Sequence, residues 1–233
     1  MDIKELFCNW FEEKLPLIKA EYDWRIPAID GFTPQHRTSY ENTLQLKEFF
    51  RGLWNQARTE KEKIDVARLI IGEWGGIKTN NNSTLEWFVD EIQMEPPHKP
   101  GTPLNGVSSY SKLFSVVKPT EYAIYDARIA AGINSIQFNR DADNGVAFCF
   151  TSSSRNSIIK KYFSIKEFKP KSLHENLLWL KTLKDDTYRA YIHLLKSCLK
   201  EFPQNTLTDM EMALFHYSID ECQRAIAKVQ EQA

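Results

Sequence analysis

Residues 105–138 read NGVSSYSKLFSVVKPTEYAIYDARIAAGINSIQF, and two helices are legible in them. Ser109–Val117 and Asp126–Ser135 carry apolar residues at helical spacing and are joined by KPTEYAIY, whose proline ends the first helix. The same period extends to both sides. Ile3, Leu6, Phe7, Trp10, Phe11, Leu15 and Leu17 form an amphipathic stripe over residues 3–20. Ser39 is placed to cap a helix with Leu44, Leu46, Phe49, Phe50, Leu53 and Trp54 inward. A third helix over about 60–74 stops at Gly75-Gly76, and a fourth, opened by Ser83, carries Leu85, Trp87, Phe88 and Ile92. Beyond the central stretch, helices are expected at 157–164, 172–183, 186–201 and 207–230. GVAFCFT at 145–151 is the one convincing strand. The fold class is mainly α with little β.

MEPPHKPGTP, residues 94–103, excludes regular structure and predicts a connector. The chain is therefore expected to form a single helical body, divisible into an N-terminal lobe, 1–93, and a hairpin and C-terminal lobe, 104–233. Its composition, 42% hydrophobic and 26% charged, is that of an ordinary globular protein rather than a disordered one. No apolar run reaches the length of a membrane span, and the acidic, amphipathic N-terminus lacks a signal-peptide layout, so the expected location is the cytoplasm. Cys8, Cys149, Cys198 and Cys222 are scattered, as are five histidines, so core thiols are expected and neither a metal nor another cofactor is. Trp10, Trp24, Trp54, Trp87 and Trp179 lie on apolar stripes and are expected inside.

A net charge of −1 argues against a protein that coats nucleic acid. Locally, however, Arg155, Lys160, Lys161, Lys166, Lys169 and Lys171 face only Glu167, a basic stretch suited either to phosphate contact or to a solvated helix face. TSSSRNSIIKKYF puts Ser154, Arg155 and Asn156 just before a helix start, where hydroxyls and an Arg suit an anion. The segment EWGGIKTNNN could bring Trp74 and a glycine backbone to a ligand, or simply end a helix. Asp126 stands where an extended segment, Ala123 to Tyr125, turns into a helix. A carboxylate there accepts free backbone N–H groups, and the helix dipole favours its ionised form. That suits an anion meant to face a developing cation, and it also suits a plain N-cap. No phosphate loop, dinucleotide fingerprint, nucleophile elbow or HExxH is present.

The central stretch resembles the helix-hairpin-helix DNA glycosylases, and more closely a divergent bacterial group similar to 8-oxoguanine glycosylases. The resemblance rests on Gly106-Val107 at the hairpin position, SKLFSVV as the following helix, Lys118-Pro119 opening the loop, and IYDARIAAGIN as the Asp-capped helix. It covers about residues 104–136. Gly106-Val107-Ser108 departs from the family's Gly-x-Gly hairpin, and Lys112 stands nearer to Asp126 than the family's nucleophilic lysine does. The resemblance implies a two-lobed helical fold and excision of a damaged or modified base, flipped out of the duplex, by N-glycosidic cleavage. Asp126 is then the central carboxylate. Lys112 is either the attacking amine or a bystander to an activated water. Gly106, Ser108, Ser109, Arg128, Ser154, Arg155, Asn156 and Lys160 become DNA contacts, with Tyr110, Tyr125 and Trp74 shaping the base pocket. A role in repair and one in defence against modified phage DNA both fit. The other reading is a helical nucleic-acid-binding module without chemistry. The expected partner is DNA, bound by a monomer away from any membrane.

Overall fold

The computed structural model describes residues 2–94, 104–150 and 154–231. Most of the expected connector at 94–103, and the last residue of the expected strand, lie outside them. The order is α1 (Ile3–Glu21), α2 (Ser39–Gln56), α3 (Glu60–Arg68), α4 (Asn82–Gln93), α5 (Val107–Val117), α6 (Ala127–Asn139), β1 (Val146–Ala147), α7 (Ser157–Ser164), α8 (Pro170–Leu177), β2 (Leu180–Lys181), α9 (Thr187–Leu199) and α10 (Leu207–Glu231). The protein is thus mainly α, with one two-stranded parallel sheet among the described residues. No helix described is long and apolar enough to cross a membrane. One contiguous buried cluster runs from Leu6 on α1 to Tyr217 on α10 and takes in α2, α4, α5, α6 and α9.

The central helices pack closely. A Cβ on Gly132 of α6 would collide with the Ser218 hydroxyl of α10 and stand 2.7 Å from its Cβ and 3.1 Å from its Cα. The missing side chain is what lets the two backbones approach. On α1, the Trp10 indole donates to the buried Glu221 of α10 at 3.0 Å, and Asn139 of α6 donates to the same carboxylate at 2.8 Å. Polar pairing therefore ties α1, α6 and α10 at a point where water is excluded.

Several local expectations need correction. Thr38 and Asn81, rather than Ser39 and Ser83, supply the side-chain caps of α2 and α4. The helix expected to run to Trp74 is α-helical only to Arg68, and Leu69–Trp74 is a π-helical turn. The strand expected over 145–151 is reduced to Val146–Ala147, because α6 takes its place as hydrogen-bonding partner. Gln137 pairs with both backbone groups of Val146, and Asn134 with both of Phe148, at 2.7–3.0 Å. The helix expected over 172–183 covers 170–177 and ends at Leu178, φ +58°. Trp179 then turns inward, its indole donating to Ala142 O at 3.0 Å, and Leu180 and Lys181 form β2. Of the tryptophans expected inside, Trp24 is half-buried and Trp87 is 38% exposed. Cys149, Cys198 and Cys222 are buried thiols, whereas Cys8 is partly exposed.

Gly132→Ala should force α10 away from α6. Overpacking of this kind costs about 1–3 kcal/mol, which corresponds to about 2–4 °C in Tm per kcal/mol for a chain of this size. Thermal denaturation followed by circular dichroism would measure it; an unchanged Tm would mean the two helices are not held at this distance.

Candidate active site

The chemistry converges where α5, α6 and α7 begin beside the π-helical turn. Gly106, at φ +83°, opens α5, and its carbonyl accepts the N–H groups of Ser109 and Tyr110. One turn on, the buried Ser111 hydroxyl donates to Tyr125 O at 3.2 Å and accepts Tyr125 N–H at 3.0 Å. This reciprocal clamp fastens the extended segment before α6 to α5. The next residue on each side of the clamp is an ionisable one: Lys112 on α5 and Asp126 at the N-cap of α6. Asp126 Oδ1 accepts the N–H groups of Arg128 and Ile129 at 2.9 and 3.0 Å. Its other oxygen makes no hydrogen bond among the described residues, so it is available to a ligand.

Lys112 and Asp126 both line two adjoining cavities, which meet at them. The inner chamber, about 270 Å³, is walled by Tyr22, Trp24, Trp74 and Phe215, with Lys47 and Glu211 also on its lining. The outer vestibule, about 540 Å³, is lined by backbone and side chains of Gly76–Thr79, Ser108 and Lys160. Arg128, Ser154 and Arg155 border both spaces. The layout is a neck carrying a lysine and a carboxylate, an aromatic-walled chamber on one side, and an open, cationic mouth on the other.

The π-helical turn shapes this neck. It delivers Trp74 and Gly75 to the cavity, and a Cβ on Gly75 would lie 2.6 Å from both Ile71 O and Lys112 Cδ. Lys112 can lie across the backbone only because residue 75 has no side chain. Such turns recur at functional sites because they re-aim the chain within a helix.

The electrostatics follow from this enclosure. Lys112 Nζ donates to Ser108 O at 2.6 Å, its single hydrogen bond among the described residues. Although the residue reaches solvent along the cavity, protein atoms surround the amine, and burial pushes its pKa down. The nearby carboxylates of Asp126 and Glu211 oppose that shift, and Arg155 adds to it. A desolvated lysine of this kind holds more of its amine in the free, nucleophilic form. Arg128 stacks on Phe215, 3.9 Å from the ring centre, and donates to His216 O at 3.1 Å, leaving a buried Nε without a partner. On the chamber lining, Lys47 and Glu211 form an ion pair at 2.5 Å, both nearly inaccessible. Glu211 also accepts Ile124 N–H at 2.6 Å, two residues before Asp126. Breaking one side of such a buried pair costs about 3–5 kcal/mol.

The structure sorts the sequence-derived candidates. Lys112, Asp126, Trp74, Arg128, Ser108, Ser154, Arg155, Asn156 and Lys160 all line one or both cavities. Gly106 and Ser109 do not: Gly106 sets the start of α5, and the Ser109 hydroxyl accepts from Asn80 at 2.9 Å. Tyr110 and Tyr125, expected at a base pocket, lie instead in the core. Tyr110 packs among Phe88, Phe114 and Tyr188, and the Tyr125 hydroxyl donates to Cys149 O at 2.5 Å. Tyr22, Thr43, Lys47, Glu211 and Phe215 were missed. A signal for two of them was present: Lys47 follows Thr43, and Glu211 follows Leu207, on the buried stripe of its helix, where a charge needs a partner. Among the described residues, no group of three or more His, Cys, Asp or Glu side chains is placed to hold a metal.

Because burial lowers the Lys112 pKa, the folded protein binds fewer protons than the unfolded chain between that lowered value and the ordinary lysine value of about 10.4. Charged Lys112 therefore opposes folding at lower pH, and stability rises as pH climbs through this window. Lys112→Met should be at least as stable as wild type at neutral pH, with a flatter stability–pH curve, by urea denaturation. Since Asp126 holds the amine's pKa up, Asp126→Asn should lower it further; NMR titration of methyl-labelled Lys112 moving the other way would contradict the arrangement.

In comparisons with known proteins, no family model matches the chain, and neither a curated protein nor a solved structure shows significant similarity to it.

Proposed function

We propose that the protein is a DNA glycosylase that cleaves the N-glycosidic bond of a damaged or modified nucleotide flipped out of the duplex. The observation that carries the reading is the neck: a desolvated lysine and an N-cap carboxylate border the same space, between an aromatic-walled chamber and a cationic vestibule. A base is planar and stacks on aromatic walls, so the inner chamber suits it. The sugar then lies in the neck, and its phosphates in the vestibule near Arg155, Lys160 and the N-terminus of α7.

In this reading the free amine of Lys112 attacks C1′ as the bond from C1′ to the base breaks, its electron pair leaving with the base. Positive charge builds on C1′ and the ring oxygen, facing the Asp126 carboxylate. The new C1′–N bond then expels the ring oxygen, which takes a proton from the nitrogen, and an imine between Lys112 and the opened sugar results. Water hydrolyses it to release the enzyme. The central stretch's resemblance to the helix-hairpin-helix glycosylases supports the same assignment.

The test is base release from duplexes carrying oxidised, alkylated, deaminated or phage-type modified bases, combined with borohydride trapping of the imine. Wild type should release at least one class of base and be trapped. Asp126→Asn should slow release by about 10²–10³-fold, and Lys112→Gln should abolish trapping. Salt-sensitive DNA binding with no release from any duplex would favour a non-catalytic binding module instead.

A further inference from the structure

On the chamber lining the protein keeps a buried charge pair between α2 and α10. Lys47 rises from α2 and Glu211 from α10, each 4% exposed. Apolar side chains of similar volume would join these helices as well or better, because burying two charges incurs a desolvation penalty. Both Glu211 oxygens are engaged, one by Lys47 Nζ and the other by Ile124 N–H, so the carboxylate is held as an acceptor. Lys47 is engaged less fully. Among the described residues its ammonium has one hydrogen-bond partner, Glu211, and the Trp74 ring centre lies 6.0 Å away. An ammonium has three N–H donors and no acceptor. Two donors therefore remain for whatever occupies the chamber.

We propose that Lys47 is a catalytic residue that activates the leaving base, and that the site accordingly takes bases with an oxo group on the edge remote from the sugar, 6-oxopurines and 4-oxopyrimidines. The inference rests on the glycosylase reading above. When the C1′–N bond breaks, its electron pair enters the ring system and appears in part on the remote oxygen. Lys47 gives one proton to that oxygen, the base leaves as a neutral hydroxy tautomer, and the lysine, now a neutral amine beside Glu211, regains a proton from water as the chamber empties. A 6-amino or 4-amino base meets Lys47 with N–H against N–H, leaving buried donors unpaired, a mismatch that such sites discriminate strongly. Glu211 acts as a positioning residue. It holds Lys47 at the base edge and, through Ile124, holds the segment that ends in Asp126.

The experiment measures base release under single-turnover conditions for matched duplexes, hypoxanthine against adenine and uracil against cytosine, together with borohydride trapping on a duplex that already holds one abasic site. Lys47→Met should slow release of oxo bases by about 10²–10⁴-fold, the usual contribution of a positioned proton donor. The loss should shrink for uracils carrying electron-withdrawing substituents, which leave more easily. Trapping on the abasic duplex involves no leaving base, so Lys47→Met should still be trapped there through Lys112. The double variant Lys47→Met/Glu211→Gln, which leaves no buried charge unpaired and keeps an amide oxygen to accept Ile124 N–H, should behave in the same way. Release at the wild-type rate by Lys47→Met overturns the inference alone, and so does an equal loss for all leaving bases. Loss of trapping in both variants would make Lys47 structural and overturn it too. A wild type that neither releases bases nor is trapped overturns the glycosylase reading, and the inference with it.

Discussion

Helices α6 and α10 touch at Gly132 and Ser218 so closely that even a methyl group on residue 132 would meet the Ser218 backbone. Much of the site depends on this contact, because α10 contributes to it at a distance set by α6. Glu211 reaches Ile124 N–H just ahead of α6, and Arg128 of α6 reaches back to His216 O and stacks on Phe215. Phe215 also walls the inner chamber. If α10 stood farther off, these reaches would fail together. Asp126 would keep its own helix cap, which is local, but would lose the segment that aims it.

A second constraint works at shorter range. Ser111 and Tyr125 exchange hydrogen bonds through one hydroxyl, and Lys112 and Asp126 are the residues immediately following each. Lys112 and Asp126 therefore each stand one residue from a fixed point on their chain segment. What they gain in position they lose in stability. Lys112 is desolvated, Arg128 has a buried nitrogen with no partner, and Lys47 and Glu211 are both withdrawn from water. The aromatic and aliphatic cluster from Leu6 to Tyr217 supplies the compensating burial. Sites that use unsatisfied groups commonly trade stability for activity in this way.

The same geometry explains what was legible in the sequence. Asp126 could be placed because an N-cap is local: extended residues, a carboxylate, then an apolar helical run. The helices were legible from their 3.6-residue period. Tyr110 and Tyr125 were misplaced although the periodicities contained the answer. On α5 each residue turns about 100°, so Tyr110, two positions before Lys112, points about 200° away and into the core. In the extended segment alternate residues share a side, so Ile124 and Asp126 face the chamber while Tyr125 faces inward. The Lys47–Glu211 pair was beyond reach in another sense. Each residue announces itself as a charge on a buried stripe, but they stand 164 positions apart, and only the fold supplies the pairing. The shortening of the strand to 146–147 was hidden for a related reason, since the side-chain amides of Gln137 and Asn134 take the backbone groups of Val146 and Phe148.

Charge is distributed unevenly over the lining of the two cavities. Lys47 and Glu211 cancel in the aromatic-walled chamber, where a net charge would be penalised by the low dielectric. At the neck, Lys112 and Asp126 remain separately addressable, one donating to a backbone carbonyl and the other capped by backbone N–H groups. Lys78 in the vestibule is paired with Glu73, whereas Arg155 and Lys160 form no ion pair among the described residues. Arg155 and Lys160 thus leave positive charge without an ion-pair partner on the vestibule lining, where water screens it. A uniformly basic protein would bind duplex everywhere. Under the proposed reading, the vestibule cations lie where the phosphates beside the flipped nucleotide would pass.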